Sequence, residues 1–377
     1  LWPLFIWVVV FLMGYLTATI TSGTSLGDIF HLGTLFFKFT VLCHLRLLMS
    51  GAGWTGGAGG EAGMGTPGGV EPVLRAYVWG AVAMAAAGLV VFCGQIDQIA
   101  GVDTRYTYRV QLFSGDPNVF GPYLVPAFFL MLAELQDEEK SHLGRWYHRV
   151  TMLGLVILAL GVAVSVSRGA YANMVVAGMV YLAGLVFFMG RVRITLQMIG
   201  AIMLTVTLAL VVLGGMGRLD LVAERLRFMD YDNQRFSFQL QALHYIKGHF
   251  WGVGLGRSEF FSGNKAVHNY FLKLFLEYGW LGFALVILFI TRTIAAAVVV
   301  AAKSEVSLLS RLRANALLAA MAGFLVNGLV VDTLGWRIAW IIPAFIWGLS
   351  DSVWKSVEGS HHVHTNITTT TNHQEIG

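Results

Sequence analysis

The stretch VTMLGLVILALGVAVSV, residues 150–166, is followed after Ser167-Arg168-Gly169 by AYANMVVAGMVYLAGLVFFMG, residues 170–190. Each run approaches the roughly 20 apolar residues that a helix needs to cross a hydrocarbon layer about 30 Å thick. Neither alternates with the period of two that marks a strand of a membrane barrel. Two spanning helices joined by a minimal turn are therefore expected, and the rest of the chain repeats the pattern. Spans are expected near 3–20, 29–49, 76–94, 118–135, 150–166, 170–190, 195–216, 270–290, 312–331 and 338–353. Composition agrees, since the 377 residues are 56% hydrophobic and 12% charged, with a mean hydropathy of +0.68, too apolar for a soluble domain. The fold class expected is all-α, a polytopic transmembrane bundle of about ten spans.

One interval breaks the pattern. Residues 217–268 form a polar loop of about fifty residues where a bundle needs only a short turn, and they carry Arg225, Arg227, Arg235, Arg257 and His268. Four regions follow: N-terminal transmembrane helices over 1–216, the large loop over 217–268, C-terminal transmembrane helices over 269–355 and a disordered tail over 356–377, where apolar periodicity stops and a Thr run follows His361, His362 and His364. Ser50 to Gly69 is a glycine-rich connector. The chain opens on Leu1 in mid-span, so its true start, with further helices, is expected to lie outside it.

If the long loop faces outward, the short inner connections hold Arg46, Arg75, Lys140, Arg145, Arg149, Arg191, Arg193, Arg292, Lys303, Arg311, Arg313 and Lys355. The short outer ones hold only Arg105, Arg109, Arg168 and Arg337. That asymmetry follows the positive-inside rule, although the long loop carries further basic residues of its own. The net charge of +4 is spread through these connections and points to topology rather than to nucleic acid. Cys43 and Cys93 sit in apolar spans and suggest neither a disulfide framework nor a thiolate metal site.

Within the loop, Phe236, Leu240 and Leu243 fall on one face of a helix expected from about Gln234 to Lys247, lying along the membrane surface with Arg235 and Gln239 on its polar side. A second apolar stripe, Phe271, Leu274, Phe275 and Tyr278, places His268 at the mouth of the helix that re-enters the bilayer. Gly252, Gly254 and Gly256 lie between. They do not complete a dinucleotide fingerprint, because Arg257 stands where the last glycine is needed, and no Lys-Ser or Lys-Thr follows. A turn that brings the backbone close to a neighbour is expected instead.

Chemistry is sought on the outer face. Arg168 suits either an interfacial anchor or an anion-binding group, and Arg235 either a solvated charge or the same. His268 is the candidate general base, with His244, His249 and Asp332 as fallbacks. The outer acids Asp103, Asp116, Asp220, Glu224, Asp230, Asp232, Glu259 and Asp332 are scattered, so a basic site for a phosphate-bearing ligand is expected rather than a metal cage. Lys38 and Lys273 are the charges deep in the expected spans.

Taken in order, Gly115-Asp116-Pro117-Asn118, Ser167-Arg168-Gly169, Arg235 at the head of a loop helix, Trp251-Gly252-Val253-Gly254-Leu255-Gly256, His268-Asn269-Tyr270 and Leu276-Glu277-Tyr278-Gly279-Trp280-Leu281-Gly282 resemble the O-antigen ligase and Wzy-type polymerase superfamily. The resemblance covers about residues 110–290. It implies a membrane glycosyltransferase that moves a glycan from undecaprenyl pyrophosphate to an acceptor hydroxyl, inverting and without metal or other cofactor. Arg168 and Arg235 match the arginines assigned to the donor pyrophosphate, and His268 matches the histidine that acts toward the acceptor. The implied partners are the lipid-linked glycan, an acceptor such as lipid A core, a growing polysaccharide or another hydroxyl, and membrane lipids. The implied place is the bacterial inner membrane, multi-pass, with the site facing the periplasm. Ligase members typically have about twelve spans, more than are counted here. The competing reading is a transporter or flippase for polysaccharide or another anion, for which midplane charged sites and internal repeats are the usual signs.

Overall fold

The computed structural model describes residues 2–22, 26–50, 69–99, 101–106, 109–137, 144–195, 199–200, isolated positions between 207 and 227, then 230–258, 267–333 and 335–371. It is built from helices α1 (Trp2–Ser22), α2 (Leu26–Met49), α3 (Val70–Gly94), α4 (Pro117–Leu135), α5 (Gly144–Val164), α6 (Arg168–Phe187), α7 (Asp230–Ile246), α8 (Tyr270–Ala302), α9 (Leu308–Asn327) and α10 (Ile338–Thr371). Two short antiparallel hairpins, Gln98–Ile99 with Val102–Asp103 and Arg105–Tyr106 with Arg109–Val110, cross between α3 and α4.

Among the described residues, seven helices are long and apolar enough to cross a membrane: Leu32–Met49 within α2, then α3, α4, α5, α6, α8 and α9. Of the other three expected spans, 3–20 corresponds to the shorter apolar stretch Ile6–Ile20, 338–353 lies in α10, and 195–216 falls mostly outside the described residues. The bundle is thus an all-α polytopic membrane fold. Two boundaries shift. The expected span 312–331 ends at Asn327, where the chain turns out of the helix into the segment that carries Asp332. In place of a disordered tail from Ser356, the helix of α10 continues as far as Thr371.

The centre of the bundle is α9, which packs against α6, α4 and α8. The contact with α6 is close because glycines face asparagines along it. A Cβ at Gly169 would stand 2.2 Å from Asn327 Oδ1, one at Gly323 2.2 Å from Asn173 Oδ1, and one at Gly184 1.9 Å from Asn315 Oδ1. The Asn315 amide donates to the Tyr181 carbonyl at 2.9 Å. In a bilayer, where apolar burial gives helices no preference for one another over lipid, such small-residue approach and side-chain hydrogen bonding hold them together.

The two ends of the bundle differ. At one end the buried Arg313 reaches Glu71 and Glu134, Tyr147 donates to Glu134 at 3.2 Å, Arg46 forks onto Asp351 at 2.7 and 3.2 Å, and Arg311 donates to the Phe188 carbonyl at 2.6 Å. These groups sit at the α3, α5 and α9 starts, the α2, α4 and α6 ends and, for Asp351, within α10. The opposite end holds the α4 and α6 starts, the α9 end and the start of α8, and there the loop residues gather.

Candidate active site at the long loop

Arg168 is placed by a capped turn. Val166 adopts φ +45°, Ser167 caps α6 by accepting from Ala170 N at 3.4 Å, and Arg168 is the first helical residue. The turn is tied to the α4 start. Asn118 Oδ1 accepts from Ser167 Oγ at 3.0 Å and from Arg109 Nη2 at 2.8 Å, and the buried Arg109 also donates to the Ser165 carbonyl at 3.4 Å. The Gly-Asp-Pro-Asn segment is built for this. Gly115 takes φ +72°, Asp116 caps α4 by accepting from Asn118 N at 2.7 Å, and Pro117 fills the first helical position.

From that turn the Arg168 guanidinium reaches α7 and pairs with both carboxylate oxygens of Asp232, at 2.9 Å from Nη1 and 2.6 Å from Nη2. Its Nη1 also donates to the Arg227 carbonyl at 3.3 Å. Asp232 is buried, while 27% of the Arg168 side chain is exposed. Two parallel N–H···O bonds to a carboxylate are the geometry with which the same fork would meet a phosphate. Arg235 is three residues further along α7, hence on the same face as Asp232, and is half-buried.

α7 matches the helix expected in the loop, beginning four residues sooner than Gln234. Its apolar residues Phe236, Leu240 and Leu243 are exposed, as are Phe250 and Trp251 beyond it and Trp280 and Leu281. The glycine segment passes close to its neighbours, as expected. Val253 N donates to the Leu276 carbonyl at 2.6 Å, Leu255 N to the Gly14 carbonyl at 3.1 Å, and Trp280 N to the Phe250 carbonyl at 3.0 Å. Gly279, at φ +65°, interrupts α8 there, so residues 270–278 form a separate turn of helix ahead of the long span.

His268 stands immediately before Asn269, the cap of α8, whose Oδ1 accepts from Leu272 N at 3.0 Å and whose amide donates to the Leu329 carbonyl at 2.9 Å. The His268 carbonyl accepts from Gln239 at 3.3 Å, which ties α7 to the mouth of α8, and Tyr270 N donates to the Gly328 carbonyl at 2.7 Å. The imidazole is half-buried. Burial first, then the positive charge of Arg235, pushes its pKa below the ordinary 6.5, against the pull of Asp332 and Asp116 and with a further push from Lys273. At neutral pH the ring is therefore uncharged and able to accept a proton.

Of the three residues singled out by sequence, the structure brings Arg235 and His268 into electrostatic reach of one another and joins Arg168 to the helix that carries Arg235. Four neighbours escaped that reading. Asp232 appeared only as one of the scattered acids, Asp116 as another of them and in a loop motif, Lys273 only as a charge deep in a span, and Asp332 as a scattered acid and a fallback. Lys273 and Asp332 pair at 2.6 Å, and Lys273 lies 3.8 Å from the buried Glu277, which accepts from Ser258 at 2.8 Å. Lys273–Glu277 is an i,i+4 pair within α8, whereas Lys273–Asp332 and Ser258–Glu277 join separate elements and leave no spacing signal. Among the described residues no group of three or more His, Cys, Asp or Glu side chains is arranged to hold a metal ion.

The architecture and site define a polytopic helical membrane protein whose long loop joins two arginines and an uncharged histidine. Residues 153–287 match the family model described as O-Antigen ligase, a segment that contains Arg168, Asp232, Arg235, His268, Lys273 and Glu277. Over this segment, about a third of its length, the chain resembles the O-antigen ligase family. No curated protein matches the chain.

Proposed function

We propose that the chain is a membrane glycosyltransferase that moves a glycan from undecaprenyl pyrophosphate to an acceptor hydroxyl, with its site facing the periplasm. The match of residues 153–287 to the O-antigen ligase family model supports the activity class. The observation that carries the finer reading is the uncharged His268 within electrostatic reach of Arg235, on a loop helix whose Asp232 pairs with a second arginine, Arg168.

The chemistry needs little else. The acceptor oxygen forms a bond to the anomeric carbon as the bond from that carbon to the pyrophosphate oxygen breaks, and the electron pair leaves with the lipid pyrophosphate. Arg168 and Arg235 neutralise the charge that develops there, as preorganised donors do in a water-poor site. Asp232 holds the Arg168 guanidinium against the loop helix until the donor phosphate competes for it. His268 accepts the hydroxyl proton on the face opposite the leaving group, so the anomeric centre inverts.

The test is product identification. Purified protein is incubated with lipid-linked oligosaccharide, a panel of hydroxyl acceptors and a chelator, and any conjugate is identified by mass. Glycan transferred to one acceptor with release of undecaprenyl pyrophosphate is expected. Movement of intact lipid-linked glycan across a vesicle membrane without any covalent product would replace the transferase by a transporter.

A further inference from the structure

Lys38 sits in α2 within the candidate span Leu32–Met49, half-buried, and its ammonium reaches up to the connection between α9 and α10. A Cβ at Gly335 would lie 3.8 Å from Lys38 Nζ. Asp332, Arg337 and Lys273 all act on its charge. Among the described residues, neither the Lys38 ammonium nor the exposed Arg337 guanidinium has a hydrogen bond or ion pair. The Asp332 carboxylate, the nearest acid, holds Lys273 at 2.6 Å. An ammonium kept inside a span against its cost of desolvation marks a site with a use for the charge.

We propose that Lys38, Lys273 and Arg337 form a second oxyanion site beside His268, which takes the carboxylate or phosphate of an acidic sugar on the acceptor glycan. This rests on the transferase reading and names the chemistry of its acceptor. Lys38, Lys273 and Arg337 gather about two carboxylates, Asp332 and the buried Glu277 that lies 3.8 Å from Lys273, so positive charge is in excess by one. Asp332 and Lys273 also act on the His268 charge, which puts the site next to the base. Lys38, Lys273 and Arg337 come from α2, α8 and the α9–α10 connection, whereas Arg168 and Arg235 come from α6 and α7. The two groups of cations share His268 but not their scaffolds, as two substrates meeting at one base require. Lysines suit the second role. An ammonium is a point charge that tolerates the varied orientation of a sugar anion, while the arginine forks are matched to phosphate.

The same oxyanion chemistry could come from the donor lipid, and the test separates the two sources. Full-length protein in nanodiscs of zwitterionic lipid is titrated with undecaprenyl pyrophosphate, with a glucuronate-terminated oligosaccharide and with its neutral glucose-terminated counterpart. Wild type is expected to bind the acidic oligosaccharide at least ten times more tightly than the neutral one. Lys38→Gln is expected to remove that preference while holding undecaprenyl pyrophosphate within twofold, and Lys38→Arg to retain most of it. Equal binding of the two oligosaccharides by wild type overturns the proposal without recourse to any variant. Loss of undecaprenyl pyrophosphate binding in Lys38→Gln, with the oligosaccharide preference unchanged, overturns it in favour of a donor site. Failure of the transferase reading looks different, because wild type would then bind no undecaprenyl pyrophosphate whatever it does with the sugars.

Discussion

His268 adopts φ +50°, a backbone region that few residues other than glycine occupy and one that costs about 1–3 kcal/mol elsewhere. Here Asn269, Gln239 and Gly328 pin the backbone on either side of it, which fixes the ring at the mouth of α8. The pKa direction makes a prediction. Since burial and Arg235 lower it, the acid limb of the transfer rate should lie below pH 6.5, where the imidazole begins to take a proton and ceases to act as base. Replacing Arg235 by Gln removes a repulsive charge, so the His268 titration followed by NMR should move upward; an unchanged or lower value would separate the two residues. The arginines have their own test. Arg168→Lys and Arg235→Lys should each impair transfer by about tenfold or more, because a point charge does not reproduce a bidentate fork, and donor binding should weaken in at least one. Full activity in both lysine variants would leave the arginines as anchors. Arg168, Arg235 and His268 were legible because each stands at a local landmark: a turn, a helix head, a helix mouth. Asp232 and Asp332 were not, since what gives them meaning is a partner about sixty residues away, at 2.6 Å in each case.

At the scale of elements, the glycine segment after α7 is what joins the loop to the bundle. Gly254 takes φ +99° with its missing Cβ 2.4 Å from the Ala18 Cα, and the missing Cβ of Gly279 would fall 2.5 Å from the Phe250 carbonyl oxygen. Gly254→Val combines a disfavoured φ with a backbone clash, and it should destabilise the loop docking by about 2–4 kcal/mol. A lowered melting temperature in detergent, with proteolysis now cutting between Lys247 and Arg257, is the expected readout; an unchanged melting temperature would mean that α1 does not support the loop. That the segment turns close to something could be seen in the sequence, because glycine spacing there fits no nucleotide motif. Its partners could not. Gly14 and Ala18 are ordinary small residues of an apolar helix, and only the folded chain sets them against residues from the far side of the sequence. The exposed stripe of α7 shows the same division: periodicity gave the helix and its face, while Gln239 holding the His268 carbonyl is a tertiary fact.

For the whole molecule, spans were legible wherever an apolar run was bounded by charge or glycine, and the two ends of the bundle sort the basic residues as the loop asymmetry suggested. Arg46, Arg311 and Arg313 meet carboxylates or carbonyls at one end, and the site lies at the other. With Cys43 and Cys93 replaced, an impermeant thiol reagent on intact spheroplasts should modify a cysteine at Lys247 and spare one at Ser304. The reverse pattern would put the site on the cytoplasmic face. The most direct test of the central claim is a single-turnover transfer measurement on wild type and His268→Ala, both preloaded with lipid-linked glycan and mixed with acceptor across pH 5–9. The account predicts that the variant binds donor as wild type does but transfers about 10²–10⁴ times more slowly, and that the acid limb seen in wild type is gone. Wild-type turnover in the variant, with the acid limb intact, would contradict it.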